Sequence, residues 1–160
     1  KLRFTLVNLE KDPVEDKALF ESLVGDATDP NLLAGRKFDL VHSNSVVEHV
    51  GDFDDMKRFA ENTRRLAPRY YVQTPNYWFP YEPHFRFPGF QYLPEAVRIA
   101  LIGRFSLGFF PRIDDAAAAR DIIHHHRLVS TRQMRELFGD ARIIHEKFYG
   151  LNKSIIAIRS

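Results

Sequence analysis

Two histidines and a neighbouring glutamate carry side chains that can move a proton during a reaction. Glu48 and His49 follow the polar run at residues 42–45, and His84 lies further along the chain in the segment EPHF. Histidine exchanges a proton near neutral pH, which makes His49 and His84 candidate general bases. Glu48 is the weaker candidate, because it can also serve only to orient its own helix.

Three consecutive histidines at residues 124–126 raise the question of a metal site, since imidazole is a common zinc ligand. Consecutive side chains point in different directions in regular structure, so three in a row do not easily converge on one ion. Aspartates at positions 114, 115 and 121 keep a metal-dependent hydrolase as an alternative. We assign no residue as a metal ligand.

Aromatic side chains near His84 can wall a substrate pocket and exclude water from it. We assign substrate binding to Tyr77, Trp78, Tyr81 and Glu82. The alternative is that these aromatic residues, together with Phe85, form the core of a lid.

The composition is typical of a globular domain. The 160 residues are 44% apolar and 28% charged, which is enough chain for one domain with a single core. A net charge of +2 is too balanced to indicate nucleic-acid binding. Charge, proline and glycine interrupt the longest apolar stretch, residues 93–110, so no membrane span is expected. The lack of cysteine excludes disulfides and thiolate metal sites and fits a cytoplasmic location.

Six β-strands are predicted from short runs rich in apolar and β-branched residues. They fall within residues 3–10, 21–29 (ending near Gly25), 37–43, 69–75, 141–150 and 152–159. The first is expected to be buried. The last two are expected to form a closing pair around a turn at residues 149–152.

Helices are predicted between the strands. Apolar residues recur at helical spacing over residues 52–66, with Asp52 placed to cap the start. A second helix begins at Ser130, where Gln133 completes a capping box, and ends at Gly139 as a C-terminal cap. A third is expected near residues 94–102.

Strands that alternate with helices imply a mostly parallel sheet with crossover connections. Ligands of such sheets bind beyond the carboxyl ends of the strands, where this sequence repeatedly places polar residues. An acid there can accept hydrogen bonds from ribose hydroxyls, and a glycine followed by an acid allows close backbone approach to a ligand. The polar strand ends are Asn8 to Glu10, Gly25 to Ala27, Ser43 to Ser45 and Gln73 to Asn76.

The order LVNLE, LVGDATD, FDLVHSNSVVEHVGD and VQTPN resembles class I S-adenosylmethionine-dependent methyltransferases. The run YVQTPNYWFPYEPHFRFPGFQYLP resembles an uncharacterised bacterial subgroup that acts on small molecules. The final ARIIHEKFYGLNKSIIAI resembles the reversed strand pair that closes this fold. The resemblance covers nearly the whole chain. It implies a Rossmann-like, doubly wound α/β domain over residues 1–160, with a C-terminal antiparallel strand and residues 76–127 as a lid or substrate-covering insertion.

The resemblance also implies a cofactor, S-adenosylmethionine, and a methyl transfer to a small molecule or a glycan or lipid precursor. Asn8 or Glu10 would bind the ribose, and position along a strand does not choose between residues two apart. Asp26 and Ala27 would flank the adenine. Ser43 and Asn44 would lie beside the methionine portion. A Glu-His pair at positions 48 and 49 is shared by family members with different substrates, which favours a structural role for it.

One part of the family pattern is expected to precede Lys1, where the chain is already strand-like. The family's first strand and its Gly-rich cofactor loop would lie there, and that strand belongs in the middle of the sheet. Without that strand, the strand beside it would have a free edge. We expect this edge to be covered by another copy of the chain, as in a homo-oligomer, or by rearrangement. The alternative function is a non-catalytic interaction module that lacks the cofactor loop.

Overall fold

The computed structural model describes residues 2–11 and 13–160, and strands and helices alternate along them. The strands are β1 (Phe4–Asn8), β2 (Phe20–Val24), β3 (Val41–Asn44), β4 (Tyr70–Pro75), β5 (Tyr81–Glu82), β6 (Phe87–Pro88), β7 (Arg142–Phe148) and β8 (Leu151–Arg159). The helices are α1 (Phe53–Leu66), α2 (Glu95–Arg104), α3 (Ala116–His124) and α4 (Thr131–Leu137). Two 3₁₀ turns lie at Val47–His49 and Phe90–Tyr92.

Four strands form the central sheet in the order β3-β4-β8-β7. β3 and β4 are parallel, and β8 runs antiparallel to both of its neighbours, β4 and β7. The predicted closing pair is confirmed, with a tight turn at Tyr149 and Gly150, both of which have positive φ. The α/β class is therefore confirmed, and the sheet includes the expected C-terminal antiparallel strand. The expectation of a mostly parallel sheet is wrong for the central sheet, where one strand pair is parallel and two are antiparallel because β8 runs against both of its neighbours.

β1 and β2 form a separate parallel pair. Within the described residues, β1 has β2 as its only strand neighbour and β3 has only β4, so one edge of each is open. The loop after β2 is held to α1, where the Asn62 amide donates to the carbonyls of Ala27 (2.9 Å) and Asp29 (2.8 Å). This contact ties the small sheet to the helix that packs on the large one.

The main core lies between the central sheet and helices α1 and α4. α1 begins with a capping box at Asp52 and Asp55, and α4 begins with one at Ser130 and Gln133, as the sequence predicts. Both helices turn an apolar face to the sheet. The fully buried side chains of this core include Val47, Met56, Ala60, Tyr70, Val72, Val129, Met134, Phe138, Ile155 and Ala157.

A second, smaller core forms within residues 85–123. Phe85 and Phe90 stack with ring centroids 4.2 Å apart, and Ile102 and Ile123 close over them from α2 and α3. Of the aromatic residues for which the sequence left a pocket wall or a lid core open, Phe85 alone belongs to this core. The residues assigned to substrate binding lie outside this cluster.

Three local predictions are wrong. β1 is not buried: Phe4 and Leu6 are 41% and 39% exposed, because only β2 lies beside the strand among the described residues. α4 ends at the cap residue Phe138 rather than at Gly139, whose φ lies outside the positive range that favours glycine. α3 has no counterpart among the predicted helices, although Asp115 caps it by accepting from the amides of Ala117 and Ala118.

None of the helices in the described part of the chain has the length and apolar character needed to cross a membrane.

Candidate active site

Glu48 lies fully buried beyond the carboxyl ends of the parallel strands β3 and β4. The Thr74 hydroxyl at the end of β4 donates to its Oε2 at 2.8 Å. Its other oxygen, Oε1, has no hydrogen-bond partner among the described residues, and the side chain is 0% exposed. Burial raises the pKa of Glu48, because the ionised form loses its hydration.

His84 is oriented by a second buried glutamate. Glu82 is 2% exposed, and its Oε1 accepts from Nδ1 of His84 at 2.7 Å. Its Oε2 accepts from the amide of Phe85 at 2.5 Å. This carboxylate fixes the ring so that Nε2 keeps its lone pair, which is the arrangement a general base or a metal ligand requires.

His49, His84 and His126, here called the histidine cluster, pack against one another. The ring centroid of His49 lies 4.8 Å from that of His84 and also 4.8 Å from that of His126. The centroids of His84 and His126 are 5.0 Å apart. Nδ1 of His49 donates to the carbonyl of His125 (3.3 Å), and Nδ1 of His126 donates to that of Ile122 (2.7 Å). With Nδ1 as the donor in each ring, Nε2 carries the free lone pair.

The packing of the cluster disfavours protonated imidazole. Burial, together with repulsion from His84 and His126, lowers the pKa of His49 from 6.5 to about 4. Burial is also the main cause that lowers the pKa of His126. His49 is thus neutral at pH 7, and its low basicity makes it a poor acceptor for a substrate proton.

The predicted cofactor residues of the small sheet lie on or just beyond its strand ends. The Asn8 side chain accepts from the amide of Leu9 at 2.8 Å, while Glu10 lies in an exposed bend after β1. Asp26 accepts from both the amide and the hydroxyl of Thr28 at 2.8 Å, a local turn that shapes the loop after β2. Ala27 is partly buried against the main core.

Ser43 and Asn44 point to opposite faces of β3, as successive strand residues do. Ser43 is 7% exposed and its hydroxyl has no partner among the described residues, whereas Asn44 is exposed. Ser45, just beyond the strand, has φ of +54° and donates to Gln73 at 3.2 Å. The loop therefore turns sharply where the sequence places its small polar residues.

A cleft of about 620 Å³ opens beside the histidine cluster. Tyr77 and Trp78 lie on its wall, and His126 belongs to both the wall and the cluster. Trp78 is 66% exposed, and Tyr81, outside the cleft lining, is 40% exposed. Arg98, Arg127 and Arg132 also line the cleft and form no ion pair within the described residues.

Residues 124–126 diverge, as the sequence argument predicts for consecutive side chains. His124 pairs with Glu95 at 3.2 Å, and Nδ1 of His125 bonds a carbonyl of its own helix, that of Asp121, at 2.7 Å. His126 alone turns to the histidine cluster. A metal centre built on all three of these histidines is therefore excluded.

Sequence reasoning missed His126 as a member of the cluster and Glu82 as the partner of His84. His126 was visible only as part of the histidine run, and nothing local distinguished it from its two neighbours. Glu82 stands two residues before His84, and that spacing was the one available signal for the pair.

No protein-family profile matches this chain. An uncharacterized protein of Mycobacterium tuberculosis, Rv1509, is 35% identical over 60 residues, which is 38% of this chain and 20% of that protein. The matched part of this chain thus covers about a fifth of that relative's length.

Solved structures resemble the fold over most of the chain. An O-methyltransferase family protein from Burkholderia thailandensis matches 89% of this chain and 36% of its own, with a TM-score of 0.51 and 16% identity. LepI in complex with SAM matches 98% of this chain and 35% of its own, with a TM-score of 0.50 and 11% identity. The chain thus has an α/β fold similar to that of a solved O-methyltransferase family protein.

Proposed function

We propose that this chain forms part of an S-adenosylmethionine-dependent methyltransferase that acts on a small molecule or a glycan or lipid precursor. The observation that carries the proposal is the fold likeness to the O-methyltransferase family protein over 89% of the chain. The resemblance of the strand-end motifs supports it independently, because it rests on sequence rather than on backbone shape. A fold alone does not determine a reaction, so the proposal also depends on the chemistry of the site residues.

The strand-end residues have the chemistry that the cofactor needs. Glu10 is the better ribose acceptor, since the Asn8 side-chain oxygen already accepts from Leu9. The loop at Asp26 and Ala27 would flank the adenine. Ser43 and Asn44 would lie beside the methionine portion, and the buried Ser43 hydroxyl has no partner among the described residues.

The acceptor would bind in the cleft beside the histidine cluster. Tyr77 and Trp78 offer ring faces to a sugar or an aromatic group. Arg98, Arg127 and Arg132 favour an acceptor that carries a carboxylate or phosphate, because these cations lack an acidic partner within the described residues. Tyr81 would extend the binding surface on the exposed side.

His84 is the proposed general base. S-adenosylmethionine supplies an activated methyl group, so the protein has to align the acceptor and remove its proton. Glu82 holds Nδ1 of His84 at 2.7 Å, and Nε2 would take the acceptor's proton. The acceptor would then bond to the methyl carbon as the bond between that carbon and the cofactor's sulfur breaks, with the electron pair of the broken bond left on sulfur. Glu82 would thus orient the base rather than contact the substrate. His49 has too low a pKa for this role.

Calorimetric titration with S-adenosylmethionine and its demethylated product tests the proposal on residues 1–160 and on the longest natural form of the protein. We expect binding, weakened roughly tenfold or more in Glu10→Gln by loss of a hydrogen bond to a charged group. Glu61→Ala, an exposed change on α1, serves as the control. Absence of heat with either ligand in the longest form would refute the enzyme and favour the interaction module.

A further inference from the structure

The buried carboxylate of Glu48 lacks a partner for its second oxygen in a place where polar groups need one. Glu48 is 0% exposed, and Oε1 has no hydrogen-bond partner among the described residues. A buried charge is costly unless it is paired or coordinates a metal. Nε2 of His49 lies 3.9 Å from Oε1, which is too far for a hydrogen bond.

Three potential ligand atoms converge at this point. One atom each from Glu48, His49 and His84 lies within 4.8 Å of the other two. Ligand atoms around tetrahedral zinc lie about 3.3 Å apart, given bonds of about 2 Å. Small rotations of the three side chains would therefore close the site around an ion.

Each imidazole is already held in the tautomer that a metal requires. The carboxylate of Glu82 accepts from Nδ1 of His84, and the carbonyl of His125 accepts from Nδ1 of His49. Metal-binding histidines usually donate their second N–H to a carboxylate or a backbone carbonyl in this way, which orients the ring. Nε2 of each ring is left as the ligand atom.

We propose that Glu48, His49 and His84 form a mononuclear site for a first-row divalent transition metal ion. Two imidazoles and one carboxylate are a ligand set that zinc takes in catalytic sites, where a fourth position stays open for water or substrate. Magnesium and calcium are disfavoured, because they prefer oxygen ligands throughout. His126 packs edge-on against both imidazoles and restricts their movement.

This inference goes beyond methyl transfer and does not depend on it. If the chain is a methyltransferase, an ion bound to Nε2 of His84 would displace that atom from its role as a base. A metal-bound acceptor hydroxyl would then lose its proton more readily because the ion lowers its pKa. Comparing activity in metal-free and metal-loaded protein separates the two roles of His84.

Metal titration tests the site directly and needs neither cofactor nor acceptor. The protein is purified without a polyhistidine tag, stripped with a chelator, and titrated with Co²⁺, whose visible absorption reports its coordination, and then with Zn²⁺. We expect one ion per chain. Glu82→Gln should weaken binding roughly 10- to 100-fold, as loss of an outer partner does, and Glu48→Gln and His84→Gln should weaken it further.

His124→Gln is the matched control, since His124 pairs with Glu95 away from the site. It should bind as the unmodified chain does. Circular dichroism checks the fold of each variant, and His49→Gln replaces Glu48→Gln if the latter fails to fold. Failure of the stripped chain to bind one ion would overturn the proposal, as would unchanged binding in the folded Glu48 and His84 variants.

Discussion

At the scale of single residues, the strongest departures from solution chemistry come from burial. Glu48 and Glu82 are acids with 0% and 2% exposure, and the three rings of the histidine cluster touch one another. Such groups are stable inside a protein only when their partners are fixed. Glu82 has its partners in His84 and Phe85, whereas Glu48 keeps one oxygen unpaired, which is why the metal proposal rests on Glu48.

Tyr70 provides a pH-dependent prediction. Its side chain is 0% exposed and its hydroxyl donates to Asp140 at 2.5 Å, and burial is the first cause that raises its pKa above 10.0. The native state keeps this proton where the unfolded chain loses it, so stability should fall as the pH rises above 10.

Chemical denaturation of Tyr70→Phe across the alkaline range measures this contribution. At neutral pH the variant should lose about 1 kcal/mol with the hydrogen bond. Above pH 10 its stability should decline less steeply than that of the unmodified chain. Tyr149→Phe, at a position 92% exposed, is the control and should retain the original slope. Identical slopes for both variants would contradict the assignment.

At the scale of elements, caps and turns were the most predictable features because their causes are local. The capping boxes of α1 and α4 follow from residues three apart, and the hairpin turn follows from the sequence YG between two apolar runs. The cap of α3 follows the same rule, and only the irregular sequence around it concealed the helix. α4 ends at Phe138, whose side chain is buried in the main core. No local sequence pattern predicts that burial.

Replacement of Asp52 by alanine should destabilise the chain by about 1 kcal/mol. Its side chain accepts from the amides of Asp54 (2.9 Å) and Asp55 (3.0 Å), and the loss of both bonds leaves α1 uncapped. Denaturant unfolding measures the change. Glu61→Ala on the same helix should change stability by less than about 0.5 kcal/mol. Equal effects of the two substitutions would argue against the cap.

Gly108 is required by the close approach of the chain to His84. Its φ is +57°, and an added Cβ would overlap the His84 carbonyl oxygen and lie 2.6 Å from the carbonyl carbon of Phe85. Gly150 also has positive φ, +80°, but an added Cβ there would meet nothing within 4 Å. An alanine at Gly150 would therefore cost backbone strain alone, whereas an alanine at Gly108 would cost backbone strain and a steric clash.

Gly108→Ala should cost on the order of 3 kcal/mol, since strain and overpacking add. Gly150→Ala should cost about 1 kcal/mol from strain alone. Thermal unfolding measures both, and Co²⁺ titration should show weakened binding only in the Gly108 variant, because the backbone of His84 has to move. Equal losses of stability in the two variants would show that the contact between residue 108 and His84 adds no cost beyond backbone strain.

At the scale of the whole molecule, the described residues leave strand edges open on both strands of the small sheet and at both ends of the central sheet. β1 and β3 each have one strand neighbour, and Phe4, Leu6 and Val24 of the small sheet are 41%, 39% and 62% exposed. An open edge with apolar side chains is a template for pairing with another chain. We therefore predict that residues 1–160 associate with themselves as their concentration rises.

Sedimentation velocity across a wide concentration range checks this association. Leu6→Lys should shift the chain towards the monomer, because a lysine on an edge strand opposes pairing. Val97→Lys is the matched control: Val97 is 43% exposed, but it lies on helix α2 and not on a strand edge. A monomer at all concentrations, or equal effects of both lysines, would contradict the prediction.

The sequence by itself determined six of the strands, the helices α1, α2 and α4, the polar strand ends and the resemblance to methyltransferases, because periodicity, caps and short motifs are local. It also named His49 and His84 as candidate bases. Only the tertiary structure decided that Glu82 fixes His84, that His126 joins the cluster and that Glu48 is buried with an unpaired oxygen. The histidine cluster joins residues far apart in the chain, and no local pattern records that His84 and His126 pack against His49.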